Sequence, residues 1–264
     1  MAIVTAPLLK LESVSRTFGG LAAVTNVSLE VMPGQIFSII GPNGAGKTTL
    51  FNMISGVLRT SSGRITMEGR DLAGVRPCDF VALGIGRTFQ NLALFKHGTV
   101  VENMLVGRHR HMKTTVLESV LHYGRCRREE IAARQRIEEI IEFLEIEAIR
   151  DKVVGNLSYG QQKRVELGRA LAAEPKLLLL DEIVAGMNQE ETEDVARFIL
   201  DIRDELGIAI VLIEHDMRLV MDISDRVHVL NFGRTVTEGA PDEVQNDAGV
   251  KEAYLGKARD RAAS

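Results

Sequence analysis

The segment Gly41-Pro42-Asn43-Gly44-Ala45-Gly46-Lys47-Thr48-Thr49 carries the strongest chemical signal in the chain. It follows the apolar run Ile36-Phe37-Ser38-Ile39-Ile40 and leads into the helical Leu50-Phe51-Asn52-Met53-Ile54. It fits G-x-x-x-x-G-K-[ST] between a strand and a helix, the context in which such a loop holds phosphate. Glycines without Cβ let successive backbone N–H groups wrap a β-phosphate, and the positive end of the helix adds to the field. Lys47 then serves the β- and γ-phosphate oxygens, and the Thr48 hydroxyl serves a Mg²⁺ ion.

Such a site needs a second support for the ion and a group that acts on water. Leu177-Leu178-Leu179-Leu180 runs into Asp181-Glu182, at the strand end where open α/β sheets place their chemistry. Asp181 fits the Mg²⁺ partner of the loop, and Glu182 the carboxylate that orients or deprotonates the attacking water. An Asp-Glu pair in a solvated turn is common, but four leucines directly before it favour the functional reading. A third segment, Leu157-Ser158-Tyr159-Gly160-Gln161-Gln162, precedes the helical Lys163–Leu171. Ser158 and Gly160 offer a hydroxyl and an open backbone at a helix start, an anion site without a lysine. Alone, this segment reads as an N-cap. Two different phosphate-recognising helix starts in one chain suggest an ATP sandwiched between two subunits.

The elements that position these residues follow from periodicity. Val27, Leu29 and Val31 alternate with polar residues up to the Pro33-Gly34 turn, and Ile65 and Met67 alternate before Gly69, so the first third is partly antiparallel. The continuous run 36–40 reads as a strand covered on both faces. Over Arg127 to Ile149, Ile137, Ile140, Ile141 and Leu144 mark an amphipathic helix, and Val195, Ile199, Ile202 and Leu206 mark another that Gly207 caps. A buried strand at 208–213 follows. Strand, helix, strand implies a right-handed crossover and a parallel sheet. The fold class is therefore α/β: a mostly parallel sheet with an N-terminal antiparallel part and a helical insertion at roughly 92–160.

The 264 residues include 36 acidic and 32 Lys/Arg side chains, a formal charge of −4, with 45% hydrophobic and 26% charged residues. Those proportions exclude disorder and low complexity, and the acidic balance argues against a nucleic-acid partner. Cys78 and Cys126 form no C-x-x-C motif, which points to a reducing compartment and buried or inert thiols. Residues 1–7 lack the basic start of a signal peptide, and no apolar run is long enough to span a bilayer. Arg108, Arg110, Lys113, Arg125, Arg127 and Arg128 face one acid, Glu118, and read as a solvated face of the insertion. His109-x-His111 lacks metal-ligand spacing.

In this order the motifs resemble the ATP-binding subunits of ABC transporters, over nearly the whole chain. The P-loop at 41–49 is followed by Gln90 in Arg87-Thr88-Phe89-Gln90-Asn91, the signature at 157–162, Asp181-Glu182, and His215 in Ile213-Glu214-His215-Asp216. The resemblance implies ATP and Mg²⁺ as cofactors and a head-to-tail ATPase dimer. Phe18 would stack on adenine, Gln90 would couple Mg²⁺ and water to a transmembrane partner, and His215 would sense the γ-phosphate from within its own subunit. Ser158 and Gly160, with Gln161, would contact nucleotide bound to the opposite subunit. The closer resemblance is to the ATPases of branched-chain amino-acid importers, through 157–162, Ala185-Gly186-Met187-Asn188, Glu214-His215-Asp216-Met217 and Ala253-Tyr254-Leu255-Gly256. Tyr159 replaces the more general Gly, and Asn188 a frequent Asp. Ile183 and Gln189 stand where Pro is usual, which bears on the loop at the dimer interface rather than on the Mg²⁺ or water roles.

The resemblance further implies one cassette: a catalytic lobe at about 1–91 and 161–256, a helical lobe at about 92–160, and a short tail at 257–264. Its implied partners are a second ATPase subunit (identical or a paralogue), transmembrane permease subunits and, indirectly, a substrate-binding protein. The implied location is peripheral, at the cytoplasmic face of the plasma (inner) membrane. A non-transport ABC switch and the ATPase of a lipid exporter are the alternative readings. No cargo pocket is readable in the sequence.

Overall fold

A computed structural model describes residues 6–88, 93–109 and 125–254, with residues 125–128 described by their backbone alone. Gln90, most of the basic stretch with Arg110, His111, Lys113 and Glu118, the Cys126 side chain and the tail from 255 lie outside the described residues or atoms.

The N-terminal part forms an antiparallel sheet. Strand β1 (Leu9–Phe18) turns at Gly19-Gly20, both at positive φ, into β2 (Leu21–Val31). Leu9 faces Val31 and Leu11 faces Leu29 across this pair, and all four are buried. Strand β3 (Ile36–Ile40) belongs to the central sheet, whereas β4 (Ser62–Met67) and β5 (Arg70–Asp71) complete the antiparallel one in the order β2-β1-β4-β5.

The central sheet adds β6 (Ile85–Arg87), β7 (Leu177–Asp181), β8 (Ala209–Ile213), β9 (Arg226–Asn231) and β10 (Arg234–Gly239), in the order β10-β9-β3-β8-β7-β6. Every pair is parallel except the β9–β10 hairpin. Strands β3, β7 and β8 are buried at every residue, because both faces of the sheet are covered. Strand alternation divides their side chains between two cores. Leu177 and Leu179 join Phe37, Ile39 and the antiparallel sheet, while Leu178 and Leu180 join Ile36 and the helical side.

The helices are α1 (Lys47–Ile54), α2 (Val100–Arg108), α3 (Arg125–Phe143), α4 (Tyr159–Leu171), α5 (Gln189–Asp204), α6 (Met217–Ile223) and α7 (Pro241–Asn246). In α3 and just beyond it, Ile137, Ile140, Ile141 and Leu144 are buried at the spacing the sequence predicts. The helix stops at Phe143 instead of running to Ile149. Glu145 takes a left-handed φ of 54° that reverses the chain, so Ile146 and Ile149 fold back onto the same core. Leu206 likewise departs from expectation: α5 ends at Asp204, and Leu206 is left partly exposed in the turn before β8. Cys78, expected to be buried or inert, is exposed in the short turn Pro77–Asp79. Among the described residues no helix is long and apolar enough to cross a membrane.

Helices α2 and α4 cross at a point that admits no side chain. A Cβ on Gly107 would overlap the carbonyl oxygen of Arg169 and lie 3.0 Å from the Ala172 Cβ. Gly107→Ala is expected to cost about 1–3 kcal/mol through this overpacking. Urea denaturation measures it, and an unchanged midpoint would contradict the close crossing.

Candidate active site

The glycine loop is held by backbone on both sides. A Cβ on Gly41 (φ 149°) would overlap the carbonyl oxygen of Leu230 in β9, and one on Gly46 (φ 101°) would stand 2.5 Å from the carbonyl oxygen of Ala23 in β2. Gly44 (φ 82°) faces open space, so its requirement is conformational alone. Gly46 also N-caps α1 and has no side chain to cap it, so the positive end of the helix faces the loop without a capping side chain in between. Lys47 is almost fully buried and its ammonium donates to the carbonyls of Gly41 (2.7 Å) and Pro42 (3.3 Å).

A cleft of about 570 Å³ opens here. Its floor is Asn43 to Thr49, one wall is Leu21 to Ala23, and Glu182, His215 and Phe232 complete it. A somewhat larger hollow of about 670 Å³ elsewhere is lined in part by Lys10, Glu12 and Glu30. Lys10 forms ion pairs with both glutamates, and among the described residues no helix residue lines that hollow.

The ends of β7 and β8 deliver the acidic groups. Asp181 is buried, and Arg87 donates from Nη2 to its Oδ2 (3.4 Å) and from Nη1 to the Ser55 hydroxyl (2.5 Å). Burial pushes the Asp181 carboxyl up, the Arg87 charge opposes this, and the neighbouring Glu182 adds to it. Glu182 sits at φ 50°, uncommon for a residue with a side chain. The conformation is fixed by donation from its N–H to the Ile213 carbonyl (2.9 Å). Its Oε1 lies 2.7 Å from His215 Nε2.

Two residues with strong ties to this site receive no role from the motif reading. Glu214 is buried, and its carboxylate accepts from the Val184 N–H at Oε1 (3.0 Å) and from its neighbour His215 N–H at Oε2 (3.3 Å). It therefore ties the loop after Glu182 to the loop that carries His215. Burial pushes its carboxyl up to about 7, against the pull of those backbone donors. The sequence cues to it are its place directly after the apolar run 208–213 and its position next to His215. Phe232 is the second, an aromatic beside Gly233 in the β9–β10 turn.

The signature segment forms a capping box. Ser158 Oγ accepts from the Gln161 N–H (3.3 Å), and Gln161 Oε1 accepts from the Ser158 N–H (3.1 Å). Gly160 lies tight against the Glu191 carboxylate, where a Cβ would overlap it, and Tyr159 packs over Gly186. Ser158, Gly160 and Gln161 do not line the P-loop cleft of their own chain. Phe18, at the end of β1, does not line it either; it is partly exposed, with the Arg16 guanidinium 4.7 Å from its ring centre. The structure thus brings together the P-loop, Glu182 and His215, and leaves the signature and Phe18 outside that cleft.

A glycine loop between a buried parallel strand and a helix, with acidic residues at a neighbouring strand end, defines a P-loop nucleotide-binding core. The sequence profile of the ABC transporter family matches residues 24–185, and that of the branched-chain amino acid ATP-binding cassette transporters matches residues 234–260. The high-affinity branched-chain amino acid transport ATP-binding protein BraF of Pseudomonas aeruginosa is 40% identical over 252 residues, 96% of this chain and 99% of its own length. The lipopolysaccharide export system ATP-binding protein LptB of Haemophilus influenzae is 35% identical over 97% of this chain and 98% of its own. Among solved structures, the ADP conformation of MJ1267, an ATP-binding cassette of an ABC transporter, superposes with a TM-score of 0.83 at 34% identity, covering 96% of this chain and all (100%) of that one. The chain belongs to the ABC transporter family as one of its ATP-binding subunits, and it is an ATPase.

The Glu214 carboxyl yields a pH prediction. With its pKa raised from 4.5 to about 7, the folded state keeps a proton that the unfolded chain gives up. The group's penalty is absent below pH 4.5 and grows as pH rises to its folded value, reaching about 3 kcal/mol. In thermal melts, wild type should therefore lose more stability than Glu214→Gln as pH rises through that window. Parallel curves for the two proteins would contradict the assignment.

Proposed function

We propose that the chain works as one half of a head-to-tail ATPase dimer, with itself or a paralogue, that drives an amino-acid importer of the branched-chain type. The observation that carries the dimer is the separation just described: the capped helix start at Ser158 lies outside the cleft of its own chain. A second subunit facing this one would bring its own Ser158, Gly160 and Gln161 to nucleotide held at 41–49.

In this reading the loop from Gly41 to Thr49 wraps the phosphates and Lys47 moves its ammonium from the loop carbonyls to phosphate oxygens. Phe18, outside the cleft lining but three residues before Leu21 of its wall, would reach the base from the end of β1. The Thr48 hydroxyl and the Asp181 carboxylate, with Gln90, are hard oxygen donors suited to Mg²⁺, and a cation there would hold the buried Asp181 ionised. Bound Mg²⁺ supplies charge neutralisation at the β- and γ-phosphate oxygens. Glu182 orients the attacking water and accepts its proton. His215, already 2.7 Å from Glu182, holds that carboxylate and lines the cleft in which a γ-phosphate would lie.

The lobes proposed are a catalytic one at about 1–91 and 161–256 and a helical one at about 92–160, with a tail at 257–264. The helical lobe and the Gln90 loop would meet transmembrane permease subunits at the cytoplasmic face of the inner membrane, and a substrate-binding protein would deliver cargo. Branched-chain or related amino acids are supported as that cargo by the name of BraF and by the match at 234–260. The lipopolysaccharide export relative supports the ATPase of a lipid exporter as the second reading. Its identity is lower than that of BraF, and the match at 234–260 supports the importer reading as the first of the two.

Glu182→Gln is expected to lower ATP turnover by about 100- to 10,000-fold while leaving ATP binding intact. Phosphate release and equilibrium binding, measured side by side, test this. Hydrolysis at the wild-type rate would remove Glu182 from its role. Loss of leucine uptake on deletion of the gene separates the importer from the exporter.

A further inference from the structure

Among the large apolar side chains described as exposed, Phe232 is the most exposed, at 80%. It occupies the first central position of the two-residue turn between β9 and β10, with Asn231 paired to Arg234 across it. Phe232 and Gly233 have φ of 45° and 75°, the positive values that a type I′ hairpin requires at both centres. Asn or Gly suits the first centre, whereas a bulky aromatic there is strained. The ring does not recover that strain by packing into a core, so neither the turn nor the fold explains its presence.

The turn is nevertheless fixed in place. The Gly233 N–H donates to the Ala45 carbonyl (2.8 Å), and the Gly233 carbonyl accepts from the Thr25 N–H (2.7 Å). A Cβ on Gly233 would stand 2.5 Å from the Ala23 carbonyl oxygen. Phe232 is thereby held in register with both the P-loop and β2, and it lines the P-loop cleft. The phosphates belong at the start of α1, so the nucleoside end of the ligand points towards the remaining wall, Leu21 to Ala23 and Phe232. Leu21 is also largely exposed, at 73%. The mouth of the cleft thus presents apolar surface that a flat aromatic ligand would cover.

We propose that Phe232 is a base-contacting residue, giving the bound nucleotide a second aromatic surface besides Phe18. This rests on the reading of the cleft as the ATP site. A strained, exposed aromatic held against a ligand cleft is the kind of outlier that points to function. Ring-on-base contact acts through the π-face, so it strengthens binding of the nucleoside and not of the phosphates.

The test compares wild type, Phe232→Asn and Phe232→Tyr by calorimetric titration with ATP and, separately, with inorganic tripolyphosphate, each in the presence of Mg²⁺. Asn is favoured at positive φ, so Phe232→Asn should melt no lower than wild type. Its Kd for ATP should rise by about 5- to 20-fold, its Kd for tripolyphosphate should stay the same, and Phe232→Tyr should bind ATP as wild type does. An unchanged ATP Kd in Phe232→Asn overturns the proposal. So does an equal loss for tripolyphosphate, which would mean that the turn acts through the P-loop. Wild-type protein that bound neither ligand would overturn the assignment of the cleft itself.

Discussion

The placement of the phosphate loop depends on backbone meeting backbone with no side chain between. Gly41 touches the Leu230 carbonyl, while Gly46 and Gly233 both approach the Ala23 carbonyl. Three chain segments that are far apart in sequence, β2, the loop after β3 and the β9–β10 turn, are locked together at these contacts. The hydrogen bonds from Thr25 to Gly233 and from Gly233 to Ala45 run through the same knot. The Leu21–Ala23 wall, Phe232 and the loop that holds phosphate are therefore tied to one another directly, with the antiparallel sheet on one side and the central sheet on the other.

The acidic half of the site is positioned by a different means. Strands β7 and β8 pair in register, with Asp181 opposite Ile213, so the residues following them leave the sheet side by side. Glu182 reaches back to the Ile213 carbonyl, and Glu214 reaches across to the Val184 N–H. Each loop is thus hydrogen-bonded to the other through a residue next to its chemical group. A carboxyl buried at this junction and pushed towards neutrality fits a position chosen for geometry over charge.

Much of this could be read from the amino-acid order, because local chemistry and periodicity agree there. The P-loop, the Asp181-Glu182 pair and the buried runs at 36–40, 177–180 and 208–213 each state their own conformation. What escaped was set by contacts distant in sequence. Glu145 breaks α3 because Ile146 and Ile149 must return to the core, a demand that helical spacing does not reveal. Glu214 looks like an ordinary acid until Val184 is seen beside it, and Phe232 becomes part of the cleft only through the contact of Gly233 with Ala23. The capping box at Ser158 shows the opposite case: local pattern predicts its shape, and the resemblance already implies that it serves a cleft other than the one in its own chain, whose lining it does not join.

The alternation of leucines along β7 has a mechanical meaning. Leu177 and Leu179 are embedded in the core shared with the antiparallel sheet, Leu178 and Leu180 in the core shared with the helices. The strand is a partition wall gripped from both sides, and Asp181 is mounted on its end. Strands β3 and β8 are split between the same two cores, so the three strands together carry whatever force passes between the helical and antiparallel layers, and the acidic groups stand at the tip of that shared wall.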